Sequence, residues 1–266
     1  MKLKKTLTSI VLAGLMSLDL AKTNAEIVGD WRFDEGSGSL VTDSSKYANN
    51  GICKFTSWSS ETPSGSGNSL QFGGDGYIEV GYPAPDQSLN LEYSFTFESW
   101  AKLSTKKYSP ILAKWTAGDE NSQHHPYLFG IKSTLDGKSL RAFVKIEGMN
   151  DEGTGREFEL LGNTSLQDNV WYHLGANYDG ESLRVFVDGN LDGEILADHL
   201  NIGDTNYSLM IGRAGFSGAS EPFFQGWLDD VKMSNDYYTP SVPEPSTLGM
   251  LSLGALSIAG MRRKRN

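Results

Sequence analysis

The stretch from residue 171 to 189 constrains the fold more than any other part of the chain. Its second half alternates two sets of side chains, with Leu183, Val185 and Val187 set against Ser182, Arg184 and Phe186. This is the period of two that puts one face of a β-strand into a core. Asp179-Gly180 and Asp188-Gly189 follow the two apolar runs, and Asp-Gly pairs supply the positive φ angles of tight hairpin turns. The stretch therefore predicts antiparallel strands joined by tight turns.

The same alternation recurs along the chain, most clearly from Phe95 to Leu103, and no long segment has a helical period. Thirty glycines and a high aromatic content are typical of a sheet-and-turn protein. Roughly fourteen short strands can be counted, and so many strands must close as a two-sheet sandwich or a barrel. We expect a single all-β domain over residues 26–238.

The N-terminus has the three parts of a secretory signal peptide. Lysines at 2, 4 and 5 precede an apolar stretch from residue 7 to 20, and Thr23-Asn24-Ala25 provides small residues at the cleavage position. We expect signal peptidase to remove residues 1–25, with cleavage after Ala25.

The C-terminal tail, residues 239–266, also has three parts. Val-Pro-Glu-Pro-Ser-Thr is followed by fourteen largely apolar residues, 248–261, and then by a basic cluster at 262–265. A permanent membrane span needs about 20 residues, and the basic cluster favours the cytoplasmic side, so the segment predicts transient membrane insertion.

This tail resembles the PEP-CTERM sorting signal, and Pro243, Glu244 and Pro245 match its motif. The resemblance implies recognition by an exosortase, cleavage near the motif, and delivery to the outer surface or extracellular matrix of a Gram-negative bacterium. An ordinary C-terminal anchor is the alternative.

The charge of the exported part excludes several classes of partner. Residues 26–261 contain fifteen Lys and Arg against thirty-two Asp and Glu, a net charge of −17. Nucleic acid, anionic lipid and acidic polysaccharide are therefore poor partners, whereas neutral glycans, cations and proteins remain open. Cys53 is the single cysteine, so no internal disulfide forms, and we expect it to be buried as a small apolar residue.

Seven motifs in a fixed order resemble the laminin-G-like branch of the concanavalin A-like lectin/glucanase folds. They are W-R-F-D-E-G-S-G, D-S-S-K-Y-A-N-N-G, S-L-Q-F-G-G-D-G-Y-I-E-V, S-F-T-F-E-S-W-A-K, W-Y-H-L-G-A-N-Y-D-G, L-R-V-F-V-D-G and I-G-R followed by F-Q-G-W-L-D-D-V-K-M. The resemblance implies a two-sheet antiparallel jelly-roll sandwich that serves as a binding or adhesive module, sometimes with one calcium ion. The insertion from Ala117 to Pro126 departs from this pattern.

Calcium prefers six to eight oxygen ligands, and carboxylates are concentrated near both ends of the predicted domain. The candidate ligands are Asp34 with Glu35, Asp43, Asp229 and Asp230. First and last strands tend to meet in a jelly roll, which would bring these groups together. The alternative is that Asp34 and Asp43 cap turns and that Asp229 pairs with Arg32 or Lys232.

A second candidate site lies on the polar face of the strand from Phe95 to Leu103, where Trp100 and Glu98 are the expected ligand contacts. The indole of Trp100 offers an apolar surface with a polar edge, which suits the stacking of a sugar ring. The alternative is a tryptophan covered by a neighbouring loop.

The remaining signals are weak. His124-His125 would need a third ligand, Asp119 or Glu120, to bind a transition metal, and a solvated loop is favoured. The chain has no G-x-S-x-G and no H-E-x-x-H motif. Glu157-Phe158-Glu159 only approaches the paired carboxylates of a glycoside hydrolase.

We therefore expect a non-catalytic surface module that binds a glycan or a protein. The alternatives are a structural matrix or adhesion protein without glycan binding, and a glycoside hydrolase.

Overall fold

The computed structural model describes residues 25–81, 87–104, 108–114, 116–117, 126–203, 205, 207–216 and 222–242. Residues 1–24 of the predicted signal peptide lie outside the described residues. So do Pro243, Glu244 and Pro245 with the rest of the sorting tail, and residues 118–125 of the insertion, which include Asp119, Glu120, His124 and His125.

The described part consists of strands and one short 3-10 helix at Gln87–Leu89. The first nine strands are β1 (Ile27–Trp31), β2 (Leu40–Val41), β3 (Gly51–Ser59), β4 (Ser69–Val80), β5 (Phe95–Leu103), β6 (Ser109–Lys114), β7 (Thr116–Ala117), β8 (Tyr127–Ser133) and β9 (Leu140–Asn150). The next eight are β10 (Gly155–Leu161), β11 (Trp171–Tyr178), β12 (Ser182–Val187), β13 (Asn190–Leu196), β14 (Leu200–Asn201), β15 (Leu209–Ile211), β16 (Gly215–Phe216) and β17 (Gln225–Ser234). Within the described residues, no helix has the length and apolar character needed to cross a membrane.

Eleven of the seventeen strands in the described residues form one continuous hydrogen-bonded path in the order β10-β9-β8-β6-β15-β4-β17-β5-β11-β12-β13. Strands β1, β3 and β14 pair with members of this path and β2 pairs with β3, whereas β7 and β16 form a separate parallel pair. The path folds back on itself, because β12 contacts β9 and β10 at the other end of the order. We call β17, β5, β11, β12 and β13 the front layer, and β10, β9, β8, β6 and β15 the back layer. Strand β4 belongs to both, since its first half pairs with β17 and its second half with β15. The predicted all-β antiparallel sandwich is confirmed.

The core fills the space between the two layers. Phe97 of the front layer lies 5.2 Å from Tyr127 and 6.0 Å from Phe129 of the back layer, measured between ring centroids. All three side chains are fully buried, so the alternation that predicted one inward face of β5 is confirmed. Cys53 is half-buried and packs against the same core.

The antiparallel strands predicted between residues 171 and 189 form, and a tight turn follows each of them at an Asp-Gly pair. Strand β11 pairs antiparallel with β12, and β12 pairs antiparallel with β13. Asp188 and Gly189 have φ angles of 49° and 75°, the pair of positive values that defines a type I′ hairpin turn. The Asp179 carboxylate accepts hydrogen bonds from the Glu181 and Ser182 amides. Both aspartates are thus turn residues.

The first and last strands meet, as the calcium hypothesis requires. Strand β1 pairs antiparallel with β17, with Asp30 opposite Lys232 and Trp31 opposite Val231. The register of β17 against β5 shifts between Asp229 and Lys232. Asp230 has a φ of 47° at this point, which is typical of an extra residue in a β-bulge.

Candidate functional site

Six side chains form two rows on the outer surface of the front layer, across β11, β5 and β17. One row is Trp171, Lys102 and Trp227, and the next is His173, Trp100 and Asp229. Residues directly opposite each other in a sheet share one face. Of the intervening residues, Ala101 and Leu228 are in the core and Tyr172 packs against it. The six side chains therefore lie on the face opposite the core, where the three tryptophans are partly exposed and Lys102, His173 and Asp229 are buried among them. We call Trp100, Trp171 and Trp227 the tryptophan face.

Each ring of the tryptophan face is partly exposed and has polar neighbours. Trp100 contacts His173 edge to face, with 5.2 Å between ring centroids. The Lys102 ammonium lies 4.8 Å from the centroid of Trp227, and the same ammonium pairs with the carboxylate of Glu61. Aromatic rings thus alternate with groups that donate and accept hydrogen bonds.

The spacing of this surface suits an extended, flat ligand. Trp171 and Trp227 stand two strands apart, which corresponds to about 10 Å at the usual distance between strands. Indole rings present apolar area with a polar edge. The partly exposed indoles can therefore stack against ring faces, whereas the buried side chains of Lys102, His173 and Asp229 hold the indoles in place.

Glu98, predicted as a ligand contact beside Trp100, is instead part of a buried ion pair. Its carboxylate lies 3.1 Å from Nε2 of His173, and both side chains are more than nine-tenths buried. Burial would raise the pKa of Glu98, but His173 together with the nearby Tyr238 and Lys232 holds the pKa below its ordinary value. Glu98 is not accessible to a ligand here, so that prediction is wrong.

The burial of Glu98 is caused by residues 235–242, which cross the outer surface of the front layer and which we call the C-terminal strap. Asn177 donates a hydrogen bond to the Tyr238 carbonyl at 2.7 Å. The hydroxyl of Thr96 accepts one from the Tyr238 amide at 2.9 Å and donates to the Asp236 carbonyl at 3.0 Å. The domain boundary expected at residue 238 lies inside this strap. The strap covers one end of the outer surface, and the tryptophan face occupies the other.

Gly175 is the sequence signal that could have revealed the strap. A Cβ atom at this position would lie 2.7 Å from the ring of Pro240, which no side chain tolerates without a shift. A glycine inside a strand often marks the close approach of another segment. The sequence does not say which segment approaches, because the contact joins residues far apart in the chain.

Three of the five carboxylates predicted as calcium ligands, Asp34, Asp229 and Asp230, lie near one another. Burial raises the pKa of Asp229 to about 8, and the charges of Asp230 and Asp34 contribute to the rise. Asp229 is 6% exposed, and its Oδ1 accepts a hydrogen bond from the Asp230 amide at 3.0 Å. Arg32 pairs with Asp30 at 2.8 Å, so the expected alternative of an Asp229–Arg32 pair is wrong.

Asp43, another candidate, accepts hydrogen bonds at both carboxylate oxygens from β1 and from its own loop. Its Oδ1 accepts hydrogen bonds from the amides of Asp30 and Ser45, each at 2.8 Å. Its Oδ2 accepts from the Ser45 hydroxyl at 2.6 Å and the Asn49 amide at 2.8 Å. The turn-capping alternative is therefore the better description of Asp43. Glu35 has a similar role, because it accepts a hydrogen bond from the Thr42 amide at 2.7 Å.

The donor set for calcium is therefore smaller than predicted. Among the described residues, no group of three or more His, Cys, Asp or Glu side chains is arranged to hold a metal ion. Asp34, Asp229 and Asp230 are close enough to repel one another electrostatically. They do not surround a common centre in this arrangement.

The two glutamates that approach a hydrolase motif lie on the outer surface of the back layer. Glu157 pairs with Lys145 at 2.7 Å, and Glu159 pairs with Lys132. Glu157 is thus bound to a lysine of the adjacent strand β9, and Glu159 to a lysine of β8, one strand further away. This arrangement is a ladder of surface ion pairs.

Solved structures with a similar fold include several binding domains. Domain 4 of AbnA, a GH43 extracellular arabinanase from Geobacillus stearothermophilus, in complex with arabinotriose, is 15% identical to the chain with a TM-score of 0.54. The match covers 79% of this chain and 92% of that domain. At such identity the likeness shows the fold alone.

Two toxin domains are also similar. The binding domain of Paraclostridial Mosquitocidal Protein 1 is 11% identical with a TM-score of 0.57, covering 85% of this chain and 51% of that one. The binding domain of Botulinum Neurotoxin DC, in complex with SialylT, is 12% identical with a TM-score of 0.53, covering 87% and 52%. The chain thus spans about half the length of these toxin domains. No curated protein matches the chain in sequence.

Two family models match the chain itself. The PEP-CTERM protein-sorting motif matches residues 241–264, which marks the chain as an exported protein. The Laminin_G_3 model, described as the concanavalin A-like lectin/glucanases superfamily, matches residues 72–241, and the chain therefore belongs to this superfamily.

Proposed function

We propose that this exported protein is a non-catalytic module that binds a neutral glycan on the tryptophan face. The observation that carries the proposal is the pair of rows in which three partly exposed indoles alternate with Lys102, His173 and Asp229. Sugar rings present apolar faces, and three partly exposed indoles on one sheet surface can stack against them.

Charge supports a neutral ligand over an acidic one. The exported part has a net charge of −17, and Lys102, the cation of the two rows, is paired with Glu61. An anionic polysaccharide would therefore be repelled over most of the surface and would find no free cation within the two rows.

The structural neighbours support the same class of ligand. The arabinanase domain is in complex with an arabinose trisaccharide, and the neurotoxin binding domain is in complex with SialylT. By analogy with these two domains, we infer that the sandwich of this protein presents a ligand-binding surface. The fold does not determine which surface or which sugar is used.

We place the mature protein on the outer surface or in the extracellular matrix of a Gram-negative bacterium. Signal peptidase would act at the N-terminus and an exosortase at the sorting motif, while the apolar segment of the tail is transiently in the inner membrane. The sorting motif supports this route. A glycan-binding module in that place would attach the protein to surface polysaccharide.

Replacing Trp171 or Trp227 with alanine is expected to weaken retention on neutral polysaccharide about tenfold, because one lost stacking partner corresponds to on the order of 1–2 kcal/mol. Retention of the full chain on a glycan array, with and without a calcium chelator, is the measurement. Trp100→Ala should act in the same direction, but it also removes the contact with His173, so thermal stability must be measured alongside.

Trp58→Phe is the matched control, since Trp58 lies on β3 and packs against the core away from the tryptophan face. Equal retention of all these variants would contradict the proposal. If the unaltered chain binds no neutral glycan yet associates with cell-surface material, the result favours a structural matrix or adhesion protein without glycan binding. Release of reducing sugar from a polysaccharide would instead favour a hydrolase.

A further inference from the structure

The C-terminal strap is hydrogen-bonded to the domain between Asn235 and Tyr238 and packs against the front layer at Pro240. At its centre, the amide and the carbonyl of Tyr238 are both hydrogen-bonded, to Thr96 and Asn177 respectively. At its beginning, the Ser94 hydroxyl donates to the Asn235 carbonyl at 3.2 Å. The Tyr238 side chain lies next to the buried Glu98 carboxylate. The strap is therefore an integral part of the folded surface.

The contact continues to the last residue before the sorting motif. Pro240 packs against Gly175 so closely that a Cβ atom there would lie 2.7 Å from its ring. A Cβ atom at Gly189 would lie 3.5 Å from the Val242 nitrogen and 3.8 Å from the Ser241 Cα. The match to the sorting motif begins at residue 241. The fold and the sorting signal thus adjoin with no free linker between them.

This continuity conflicts with what a processing enzyme needs. Enzymes that read an extended peptide generally do so through main-chain hydrogen bonds along several residues. In the strap, the carbonyls of Asn235 and Asp236 and both main-chain groups of Tyr238 are already hydrogen-bonded to the domain, and Pro240 is packed against Gly175. An enzyme that reads the chain back to these residues can therefore bind them only after the strap has left the sheet.

We propose that the docked strap gates the processing of the sorting tail, so that the folded domain withholds the residues preceding the motif until the strap detaches locally. Detachment needs no unfolding of the sandwich, because local segments open independently of the core. The inference rests on enzymatic processing of the tail and is independent of glycan binding, which is measured separately.

The test follows processing of the full chain in a host that carries an exosortase, as the ratio of processed to unprocessed protein over time. Two variants loosen the strap by different means. Gly175→Ala forces Pro240 outward, and Thr96→Val removes the hydroxyl that holds Tyr238 and Asp236. We expect both to be processed several-fold faster than the unaltered chain. The double variant Gly175→Ala with Pro240→Gly should return to the original rate, because the clashing ring is gone.

A third variant leaves the domain untouched. Insertion of Gly-Ser-Gly-Ser between Val242 and Pro243 frees the residues before the motif without altering the sheet, and should also speed processing several-fold. Limited digestion with chymotrypsin at Tyr237 and Tyr238 reports the state of the strap directly, and a thermal melt reports folding. The inserted variant keeps the test decisive if a sheet substitution fails to fold.

Equal rates in the inserted variant and the unaltered chain would overturn the proposal. Slower processing in the loosened variants would also overturn it, since the docked strap would then present the motif. Absence of processing in every variant would refute processing of the tail, whereas retention on polysaccharide would be unaffected by that outcome.

Discussion

Replacing Asp43 with alanine is expected to lower the free energy of unfolding by about 3 to 5 kcal/mol, because it removes the acceptor of four hydrogen bonds in a buried loop. Two of the donors are the amides of Asp30 and Asn49, which would be left in the protein interior without a partner. Whole domains have about 5 to 15 kcal/mol of stability, so the loss is a large share of it. Urea denaturation at neutral pH measures the change.

Asp34→Ala is the matched control, because Asp34 lies at the same end of the domain but is exposed. Its effect should stay within about 0.5 kcal/mol, as for ordinary surface positions. The denaturation is repeated with a calcium chelator. If the chelator lowers the stability of the unaltered chain as much as Asp43→Ala does, and has no further effect on that variant, Asp43 acts as a metal ligand and the turn-capping description fails.

The parts of the fold that were predictable are those whose physics is local. Asp188-Gly189 predicts a tight turn because the two residues themselves tolerate positive φ, and the structure shows 49° and 75° there. The inward set of β12 follows from its own alternation. Such features need no knowledge of what lies opposite them.

The features that were predicted incorrectly depend on contacts between segments that are distant in sequence. Alternation predicts an inward and an outward set for β5, but it does not say what covers the outward set. Thr96 and Glu98 are buried because a strap about 140 residues later crosses them. Trp100 lies on the same face yet stays partly exposed, since the strap ends before that row. The alternation along β5 correctly predicts which side chains point outward, but it does not predict which of them are exposed to solvent.

The calcium hypothesis combines one feature that was predictable from the architecture with one that was not. The meeting of β1 and β17 was predictable from the architecture, and it does bring Asp34, Asp229 and Asp230 together. The hydrogen bonds that occupy Asp43 were not predictable, because they depend on the path of the loop that follows it. What remains is a buried carboxyl group with like charges around it.

Asp229→Asn is expected to stabilise the protein at pH 8 by about 3 kcal/mol, with almost no effect near pH 4. Burial, with Asp230 and Asp34, raises the pKa of Asp229 to about 8 from 3.8, so the folded state holds a proton that the unfolded state has lost. The stability associated with this proton is fully present below about pH 4 and is lost as the pH rises through 8. Each pKa unit corresponds to about 1.4 kcal/mol, and we count only part of the shift because local relaxation reduces it. Asparagine stays neutral and keeps the Oδ1 that accepts the Asp230 amide.

Thermal and urea unfolding of both chains between pH 4 and 9, with a chelator present, measure this difference. A constant difference across that range would contradict a raised pKa.

A further measurement with excess calcium tests whether an ion binds at Asp34, Asp229 and Asp230. If a calcium ion binds beside Asp229, it supplies the missing positive charge, so the unaltered chain should regain stability at pH 8 while Asp229→Asn does not respond. If no ion binds, calcium leaves both chains unchanged and Asp229 is a neutral carboxyl beside Trp100 at pH 7.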